Sequence, residues 1–202
     1  MDLTRRTVLG GGAALLLKAG PRSIFNERDL TGWTAHGHGR WTVEDSAIVG
    51  RFDESRPGPG YLLTDEQFSD FRLHLEFWIS KGGNSGVYVR QPPRVFGTRG
   101  NDKVAQRPGD GHEVQINYGE TKNLTGAIYN FRNVTKLVGA EEEWNRCSIE
   151  CRGARIVVRI NGEVVNEFEP LRSLRGAVGF QVHGQQPHPH FAKFRKIAIE
   201  AI

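Results

Sequence analysis

Apolar and polar residues alternate with a period of two along several short segments of the chain. The clearest is Phe71–Ile79, FRLHLEFWI, in which apolar side chains take every second position. Because successive side chains of a β-strand point to opposite faces, this pattern predicts a strand with one face in a hydrophobic core. The same test divides His112–Asn117, HEVQIN, into a face of three polar side chains and a face of two β-branched ones. HEVQIN is therefore predicted to be a half-buried strand whose other face meets either water or a ligand.

The remaining chain reads as short strands separated by turn residues. A hairpin is predicted over 41–50 and a second one at Asn161-Gly162, a dipeptide typical of tight β-turns. A single helical turn is predicted at 65–68, and further strands at 61–63, 85–91, 125–131, 144–152, 155–160, 163–168, 176–183 and 191–199. Many short strands without crossover helices predict an all-β fold of two packed antiparallel sheets, a sandwich or jelly roll. An immunoglobulin-like topology is disfavoured because its Cys, Trp, Cys spacing is missing.

Composition limits the size and partners of the fold. The chain of 202 residues suits one domain, assigned here to 21–202, and its 25 glycines and 11 phenylalanines agree with many strands and turns. The net charge of +4 comes from scattered basic residues, which disfavours nucleic acid as a partner. A glycine- and proline-rich excursion over 92–111 precedes HEVQIN and is predicted to be a functional lid or a disordered loop.

The first twenty residues have the pattern of an export signal. Thr4-Arg5-Arg6-Thr7 is a twin-arginine motif, and the mild apolar run 10–17 follows it. That run is too short to span a bilayer, so no membrane span is predicted. We expect a periplasmic or extracellular protein, with a disordered basic N-terminus as the alternative.

Two cysteines, Cys147 and Cys151, lie four residues apart in WNRCSIECRG. Along a strand this spacing is roughly 13 Å, whereas a disulfide needs Cα atoms within about 7 Å. Both are therefore predicted to be buried free thiols.

Four predicted strands have the same pattern, in which an apolar face lies opposite a face with polar and aromatic side chains. If these strands are neighbours, their polar faces form one floor of carboxylates, amides, a guanidinium, an imidazole and rings, a set that suits sugar hydroxyls and C–H faces. The floor is predicted to carry Glu76, Trp78, Tyr88, Arg90, Glu113, Gln115, Gln181 and His183.

Each of these residues also has a structural interpretation. Arg90 can form an ion pair with Glu113 or Glu76, His183 can be exposed or hydrogen-bonded at a strand end, and the rings can pack at the rim. His188 and His190 alternate with prolines, which is a weak signal for metal binding, and no metal site is predicted from them.

A series of motifs gives the chain a family resemblance over 23–202. In order, they are SIFNERDLTGW, WTVEDSAIVG, FRLHLEF with GGNSGVYVR, HEVQIN, TGAIY, EWNRCSIECRG, INGEVV and GAVGFQVHG. Together they resemble the bacterial 3-keto-disaccharide hydrolase family, also described as 3-keto-glucoside 1,2-lyase and 3-keto-2-hydroxyglucal hydratase domains. The resemblance implies a concanavalin A-like jelly roll in an exported protein that binds and cleaves oxidised glycosides on its concave sheet.

The sequence departs from the family pattern at one important strand. HEVQIN resembles a Glu-x-Gln-x-x-Asp motif, yet Asn117 lies within it and Tyr118 stands at or close to the acidic position. His112 replaces a common aromatic residue, and Ser46 stands where the first hairpin usually has glycine. A role that needs a third carboxylate is therefore in doubt.

The implied substrate dictates the chemistry. A ketone at C3 acidifies the C2 hydrogen, so a base can form an enolate that expels the aglycone from C1. We expect Glu113 to be the base, Arg90 the enolate stabiliser and His183 or Glu76 the proton donor. Positioning and substrate binding are assigned to Asn84, Tyr88, Gln115, Tyr129, Gln181 and Trp78.

Two other functions stay open. A glycan-binding module would use the same floor without turnover, and a retaining glucanase would need paired carboxylates that HEVQIN does not provide. No cofactor is expected, although a divalent cation can take the role assigned to Arg90. The expected partner is an oligosaccharide or glycoside, and the sequence leaves the oligomeric state open.

Overall fold

The structure, a computed structural model, describes residues 20–55, 58–92, 111–169, 173–184 and 190–202. Over these residues the chain forms thirteen strands and no helix. The strands are β1 (Arg22–Ser23), β2 (Trp33–Gly37), β3 (Arg40–Glu44), β4 (Ala47–Arg51), β5 (Gly60–Thr64), β6 (Phe71–Ile79), β7 (Asn84–Gln91), β8 (His112–Asn117), β9 (Asn145–Arg152), β10 (Arg155–Ile160), β11 (Glu163–Phe168), β12 (Ala177–Val182) and β13 (Phe191–Ala201).

The strands form two antiparallel sheets. The eight-stranded sheet has the order β11-β10-β9-β6-β13-β4-β3, with β1 paired to β13, and the five-stranded sheet has the order β2-β5-β12-β7-β8. The chain passes repeatedly from one sheet to the other, so strands that adjoin in space are often distant in sequence. This arrangement confirms the predicted jelly-roll sandwich.

The core lies between the two sheets and is built from the apolar faces that alternation predicts. Every second residue of β6 from Phe71 is buried, and the residues between them are half-buried on the outer face. Phe180 of β12 stacks on Phe194 of β13 with ring centroids 3.9 Å apart and on Trp33 of β2 at 5.3 Å. These contacts join strands from both sheets, and each fully buried ring contributes about 1.5–3 kcal/mol.

The predicted hairpins form where their turn residues favour them. Asn161 and Gly162 have φ angles of 51° and 91°, and Asp45 and Ser46 have 50° and 59°. Two consecutive positive φ angles are the signature of the tight turn that matches strand twist.

Two local predictions are wrong, and one strand was not predicted. Residues 65–68 form bends instead of a helical turn, because Phe68 pairs with Gly176 as an isolated bridge. Residues 125–131 form turns with one bridge at Ile128 instead of a strand. Strand β2, which begins at Trp33, is not among the predicted strands.

Cys147 and Cys151 lie on the inward face of β9 as free, buried thiols. Burial raises the pKa of each thiol to about 12, so neither is an anionic nucleophile at neutral pH. The prediction of buried free cysteines is confirmed.

Some predictions concern residues outside the described ranges. They are the export signal, apart from Gly20, the loop between 92 and 111, and His188. His190 is buried and stacks on Phe52 at 5.9 Å. Within the described residues there is no helix long and apolar enough to cross a membrane.

Candidate functional site

The outward face of the five-stranded sheet gathers polar residues from three adjacent strands. In the register of β7 and β8, Glu113 lies opposite Tyr88 and Gln115 opposite Gly86. On the other side of β7, Gly86 lies opposite Gln181 of β12. We call this surface the polar face and define it by Asn84, Tyr88, Glu113, Gln115 and Gln181. All five side chains are buried despite their position outside the core.

A chain of hydrogen bonds holds the carboxylate of Glu113. The Tyr88 hydroxyl donates to Glu113 Oε2 at 2.8 Å, and Gln181 Nε2 donates to the Tyr88 hydroxyl at 3.1 Å. The Tyr88 hydroxyl thus accepts a hydrogen bond from β12 and donates one to β8. One carboxylate oxygen is thereby fixed in place.

The second carboxylate oxygen of Glu113, Oε1, indicates what chemistry this residue can perform. Oε1 is buried and has no hydrogen-bond partner among the described residues, and the side chain is 7% exposed. Burial raises the pKa of Glu113 to about 7, against a smaller lowering effect of the Tyr88 hydrogen bond. Burial, with the nearby Glu113 charge, also raises the pKa of Tyr88, which therefore stays protonated as a donor. A buried carboxyl that titrates near neutrality, with one oxygen unpartnered, has the properties of a general base.

Gly86 provides the space that Glu113 occupies. A Cβ at residue 86 would lie 2.2 Å from Glu113 Oε1 and 2.8 Å from its carboxyl carbon. The carboxyl group therefore lies directly over the backbone of β7. Any residue larger than glycine at this position would displace it.

Amide groups extend the polar face beside the carboxylate. Gln115 Nε2 donates to Asn84 Oδ1 at 3.0 Å, and Gln115 Oε1 is buried without a partner among the described residues. The backbone N–H of His183 donates to the Asn84 carbonyl at 3.3 Å, which brings the half-buried His183 to the same end of the sheet. The amide nitrogens of both side chains keep further N–H groups for a ligand.

The segment that follows β8 folds back along the free edge of this strand. Tyr129 N–H donates to the Glu113 carbonyl at 3.0 Å, and Gln115 N–H donates to the Ala127 carbonyl at 2.9 Å. The half-buried Tyr129 is thereby placed beside Glu113, and burial together with the Glu113 charge raises its pKa. Tyr129 thus joins the polar face from a turn.

Glu76 and Trp78 do not belong to the polar face, contrary to the sequence-based prediction. Both lie on β6, in the middle of the eight-stranded sheet, and point away from the core on the opposite side of the molecule. Glu76 accepts from Arg195 Nε at 2.7 Å and Lys196 Nζ at 2.8 Å. Trp78 stacks on Phe191 with centroids 5.1 Å apart. Alternation identified their polar side correctly, but it carries no information about which sheet a strand joins.

Arg90 is also redirected, because β7 bulges at its end. The residue has a φ of 55°, and the register of β7 with β12 shifts next to it. Its guanidinium, 3% exposed, donates to the Ser69 carbonyl at 2.8 Å, to Asp70 at 3.0 Å and to the Gly153 carbonyl. A bulge re-aims side chains in this way. Arg90 therefore ties the two sheets together and is not available as the enolate stabiliser. Its ion-pair partner is Asp70, and not Glu113 or Glu76 as the structural interpretation expected.

Asn117, the last residue of HEVQIN, and Tyr118, which follows it, have structural roles instead of supplying the missing acid. Asn117 Oδ1 accepts from Gly119 N–H at 2.9 Å and closes a local turn. The Tyr118 hydroxyl donates to the Val138 carbonyl at 3.2 Å. Neither side chain supplies a second acid next to Glu113.

Tyr61 also lies on this side of the five-stranded sheet, although the sequence pattern does not indicate it. This residue of β5 lies opposite Gln181 and packs edge to face on Tyr88, with ring centroids 5.7 Å apart. It is buried and continues the polar face towards β2, where His36 is its register partner. The strand around Tyr61 reads as a short apolar run without visible alternation, so only strand pairing could have revealed it.

No group of three or more histidine, cysteine, aspartate or glutamate side chains in the described ranges is arranged to hold a metal ion. Glu113 is the carboxylate of the polar face, and its neighbours are amides and phenols. The use of a divalent cation in place of an arginine stays a prediction.

Comparison with known proteins agrees with this fold. A 3-keto-disaccharide hydrolase of Bacteroides thetaiotaomicron is 35% identical over 168 residues, which are 72% of this chain and 57% of the relative. The match thus spans little more than half the length of that relative. A Parabacteroides distasonis protein, provisionally assigned as a glycosyl hydrolase, superposes with a TM-score of 0.69 at 22% identity over 91% of this chain and 94% of its own.

More distant structures share the jelly roll. The carbohydrate-binding module CBM66 of Bacillus subtilis has a TM-score of 0.60 at 18% identity, covering 84% of this chain and 96% of its own. A β-glucanase of Bacillus licheniformis has a TM-score of 0.60 at 12% identity, covering 91% and 99%. The model of the 3-keto-alpha-glucoside-1,2-lyase-like domain matches residues 20–200, and the chain therefore belongs to this family.

Proposed function

We propose that this protein cleaves the glycosidic bond of 3-keto-glycosides on the polar face, with Glu113 as the base. The observation that carries the proposal is the buried carboxyl of Glu113, whose pKa is about 7 and whose Oε1 has no partner among the described residues. The 35% identical relative, named a 3-keto-disaccharide hydrolase, supports the substrate class.

The first step is proton transfer from C2 of the sugar to Glu113 Oε1. The C3 ketone accepts the electron pair of the broken C–H bond and becomes an enolate oxygen. The hydrogen-bonded amide groups of Gln115 and Asn84 lie on the same face of β7 and β8 as Glu113, and we assign to their N–H groups the stabilising role expected of Arg90. Fixed donors aimed at a developing negative charge lower the barrier because they need no reorganisation.

The second step is collapse of the enolate with expulsion of the C1 oxygen. The C1–C2 double bond forms as the bond to the aglycone breaks, and a proton from His183 or from Glu113 itself neutralises the leaving oxygen. Water then adds its hydroxyl group to C1 and a proton is added to C2, which returns a 3-keto sugar. If Glu113 protonated the leaving oxygen, it relays a proton from the water to C2. If His183 did so, Glu113 returns its proton to C2 and the proton of the water returns to His183. Tyr88 stays protonated throughout and holds Glu113 Oε2.

The test compares Glu113→Gln with Glu76→Gln on a 3-keto-glucoside, with release of free sugar or 2-hydroxyglycal measured by chromatography. Loss of a general base costs about 10²- to 10⁴-fold in kcat/KM, whereas Glu76 lies on the opposite sheet and its replacement should leave turnover unchanged. For the unmodified protein, kcat/KM should rise as pH increases through about 7, where Glu113 ionises. Unchanged turnover by a folded Glu113→Gln protein would eliminate Glu113 as the base. Saturable binding without any product would favour a glycan-binding module.

We also propose export to the periplasm or beyond, on the basis of the twin-arginine pattern Thr4-Arg5-Arg6-Thr7. The test fuses residues 1–30 to a reporter that is active only after export. Replacement of both arginines by lysine should trap the reporter in the cytoplasm. Export that is insensitive to this change would contradict the proposal.

A further inference from the structure

A cleft of about 310 Å³ opens on the outward face of the eight-stranded sheet, on the other side of the molecule from Glu113. Its wall comes from β6, β9 and β10, from the hairpin turn at Gly162, and from a bulge in β13. We call it the basic cleft and define it by the side chains His74, Glu76, Arg146, Ser148, Arg159 and Lys196.

Several other arginines on this face are matched by carboxylates. Arg72 contacts Glu150 at 2.7 Å and Glu200 at 2.8 Å, and Arg155 contacts Glu167 at 2.9 Å. Such cross-strand pairs are the ordinary way in which an exposed sheet face balances its charge.

Arg146 and Arg159 break this pattern. Arg146 lies directly opposite Glu76 in the register of β6 and β9, yet Glu76 bonds to Arg195 and Lys196 instead. Arg159 lies opposite Ser148, which offers a hydroxyl and no charge. Within the described parts of the chain, neither guanidinium has a hydrogen bond or an ion pair with another side chain.

The basic cleft therefore has an excess of positive charge. Arg146, Arg159 and Lys196 contribute three cations against one carboxylate, that of Glu76, which is already shared between two cations. Guanidinium groups bind carboxylates and tetrahedral oxyanions through paired N–H donors. Ser148 lies between Arg159 and His74 in the register as a neutral donor. A volume of about 310 Å³ is at the lower end of small-molecule pockets and exceeds a bare inorganic anion.

We propose that the basic cleft binds the carboxylate or sulfate group of an acidic monosaccharide unit, with Arg146 and Arg159 as the oxyanion ligands. The anion is inferred from the charge of the cleft alone. Only the choice of a sugar as its carrier rests on the proposed function. Because the basic cleft and the polar face belong to different sheets, binding here does not require Glu113.

The experiment titrates the full chain with glucuronate at low ionic strength by calorimetry, with glucose as the neutral probe and sulfate as competitor. We expect saturable glucuronate binding that sulfate displaces, and no comparable binding of glucose. The double variant Arg146→Gln/Arg159→Gln should lose at least tenfold in affinity. Arg159→Lys, which keeps the charge and loses the paired donors, should lose severalfold.

The matched control is Arg155→Gln, which removes an arginine from the same face outside the basic cleft. Its affinity for glucuronate should stay within twofold of the unmodified protein, and circular dichroism should show all variants folded. Absence of glucuronate binding, equal binding by the double variant, or an equal loss in Arg155→Gln would each overturn the proposal. The double variant should cleave a 3-keto-glucoside as fast as the unmodified protein. The binding assay therefore tests the basic cleft, and the cleavage assay tests the proposed function. Binding of sulfate without glucuronate would also overturn the proposal, because the basic cleft would then take an inorganic anion and no acidic sugar.

Discussion

Replacement of Glu113 by glutamine should change the pH dependence of stability in a direction opposite to most carboxyl substitutions. In the folded protein the pKa of Glu113 is about 7 because the carboxyl is buried, whereas its ordinary value is 4.5. Between these two pH values the folded state holds a proton that the unfolded state has released. Stability contributed by the protonated form is therefore lost as pH rises from 4.5 to about 7.

The magnitude follows from the interval between the two values. At about 1.4 kcal/mol for each pH unit, ionisation of the buried carboxyl costs about 3 kcal/mol at pH 8. Glutamine has nearly the same shape, stays neutral and accepts the Tyr88 hydrogen bond, so it avoids this cost. We expect Glu113→Gln to be more stable than the unmodified protein by about 3 kcal/mol at pH 8, and by less than about 1 kcal/mol at pH 4.5.

The assay is urea denaturation at a series of pH values from 4.5 to 8.5, with the free energy of unfolding of the two proteins subtracted at each pH. Glu150→Gln is the matched control, because the hydrogen bond and charge of Arg72 lower the pKa of Glu150. Its replacement should destabilise the protein by a nearly constant amount over this pH range, because the stability that comes from a lowered pKa is lost only as pH falls below about 4.5. A constant difference for Glu113→Gln, or a difference largest at pH 4.5, would refute the argument that burial governs Glu113.

Three further predictions test the geometry. Gly86→Ala places a methyl group 2.2 Å from Glu113 Oε1, so kcat/KM should fall at least tenfold. The control is Gly119→Ala, whose methyl group would lie 3.7 Å from the nearest atom and should leave kcat/KM unchanged. Arg90→Met removes three buried hydrogen bonds and should cost about 2–4 kcal/mol in urea denaturation, without the loss of turnover expected of a catalytic residue at a temperature where the variant is folded. Phe180→Ala removes a ring stacked on both sheets and should cost about 3–5 kcal/mol, and an unfolding free energy unchanged within 1 kcal/mol would contradict the assigned core.

The sequence is sufficient for the parts of this fold that depend on local periodicity. Alternation along Phe71–Ile79 and His112–Asn117 identifies both strands and their core faces correctly. Asn161-Gly162 identifies its hairpin because the turn itself requires positive φ angles. In each case the signal and the structure involve the same few residues.

The sequence is insufficient where the outcome depends on strand pairing. Glu76 and Glu113 occur in equally clear alternating strands, yet β6 belongs to the eight-stranded sheet and β8 to the five-stranded sheet. Arg90 follows the alternation of β7 until a bulge redirects it. Tyr61 reaches the polar face through pairing of β5 with β12, which are more than a hundred residues apart in sequence. A sequence pattern of about ten residues cannot predict any of these three outcomes, because each depends on which strands pair.

The properties of Glu113 arise from the same distant pairings. Its hydrogen-bond donor, Tyr88, is 25 residues away in sequence, and Gln181, the partner of that tyrosine, is 93 residues from Tyr88. Burial among these groups costs stability at neutral pH, since an ionised carboxylate with one unpartnered oxygen is held away from water. A fold under selection for stability alone would replace Glu113 by a neutral residue. A catalytic role as a base explains this cost in stability, because proton abstraction is fastest when the pKa of the base lies near the working pH. The stability difference and the pH dependence of kcat/KM should therefore change around the same pH, about 7, because one ionisation governs both.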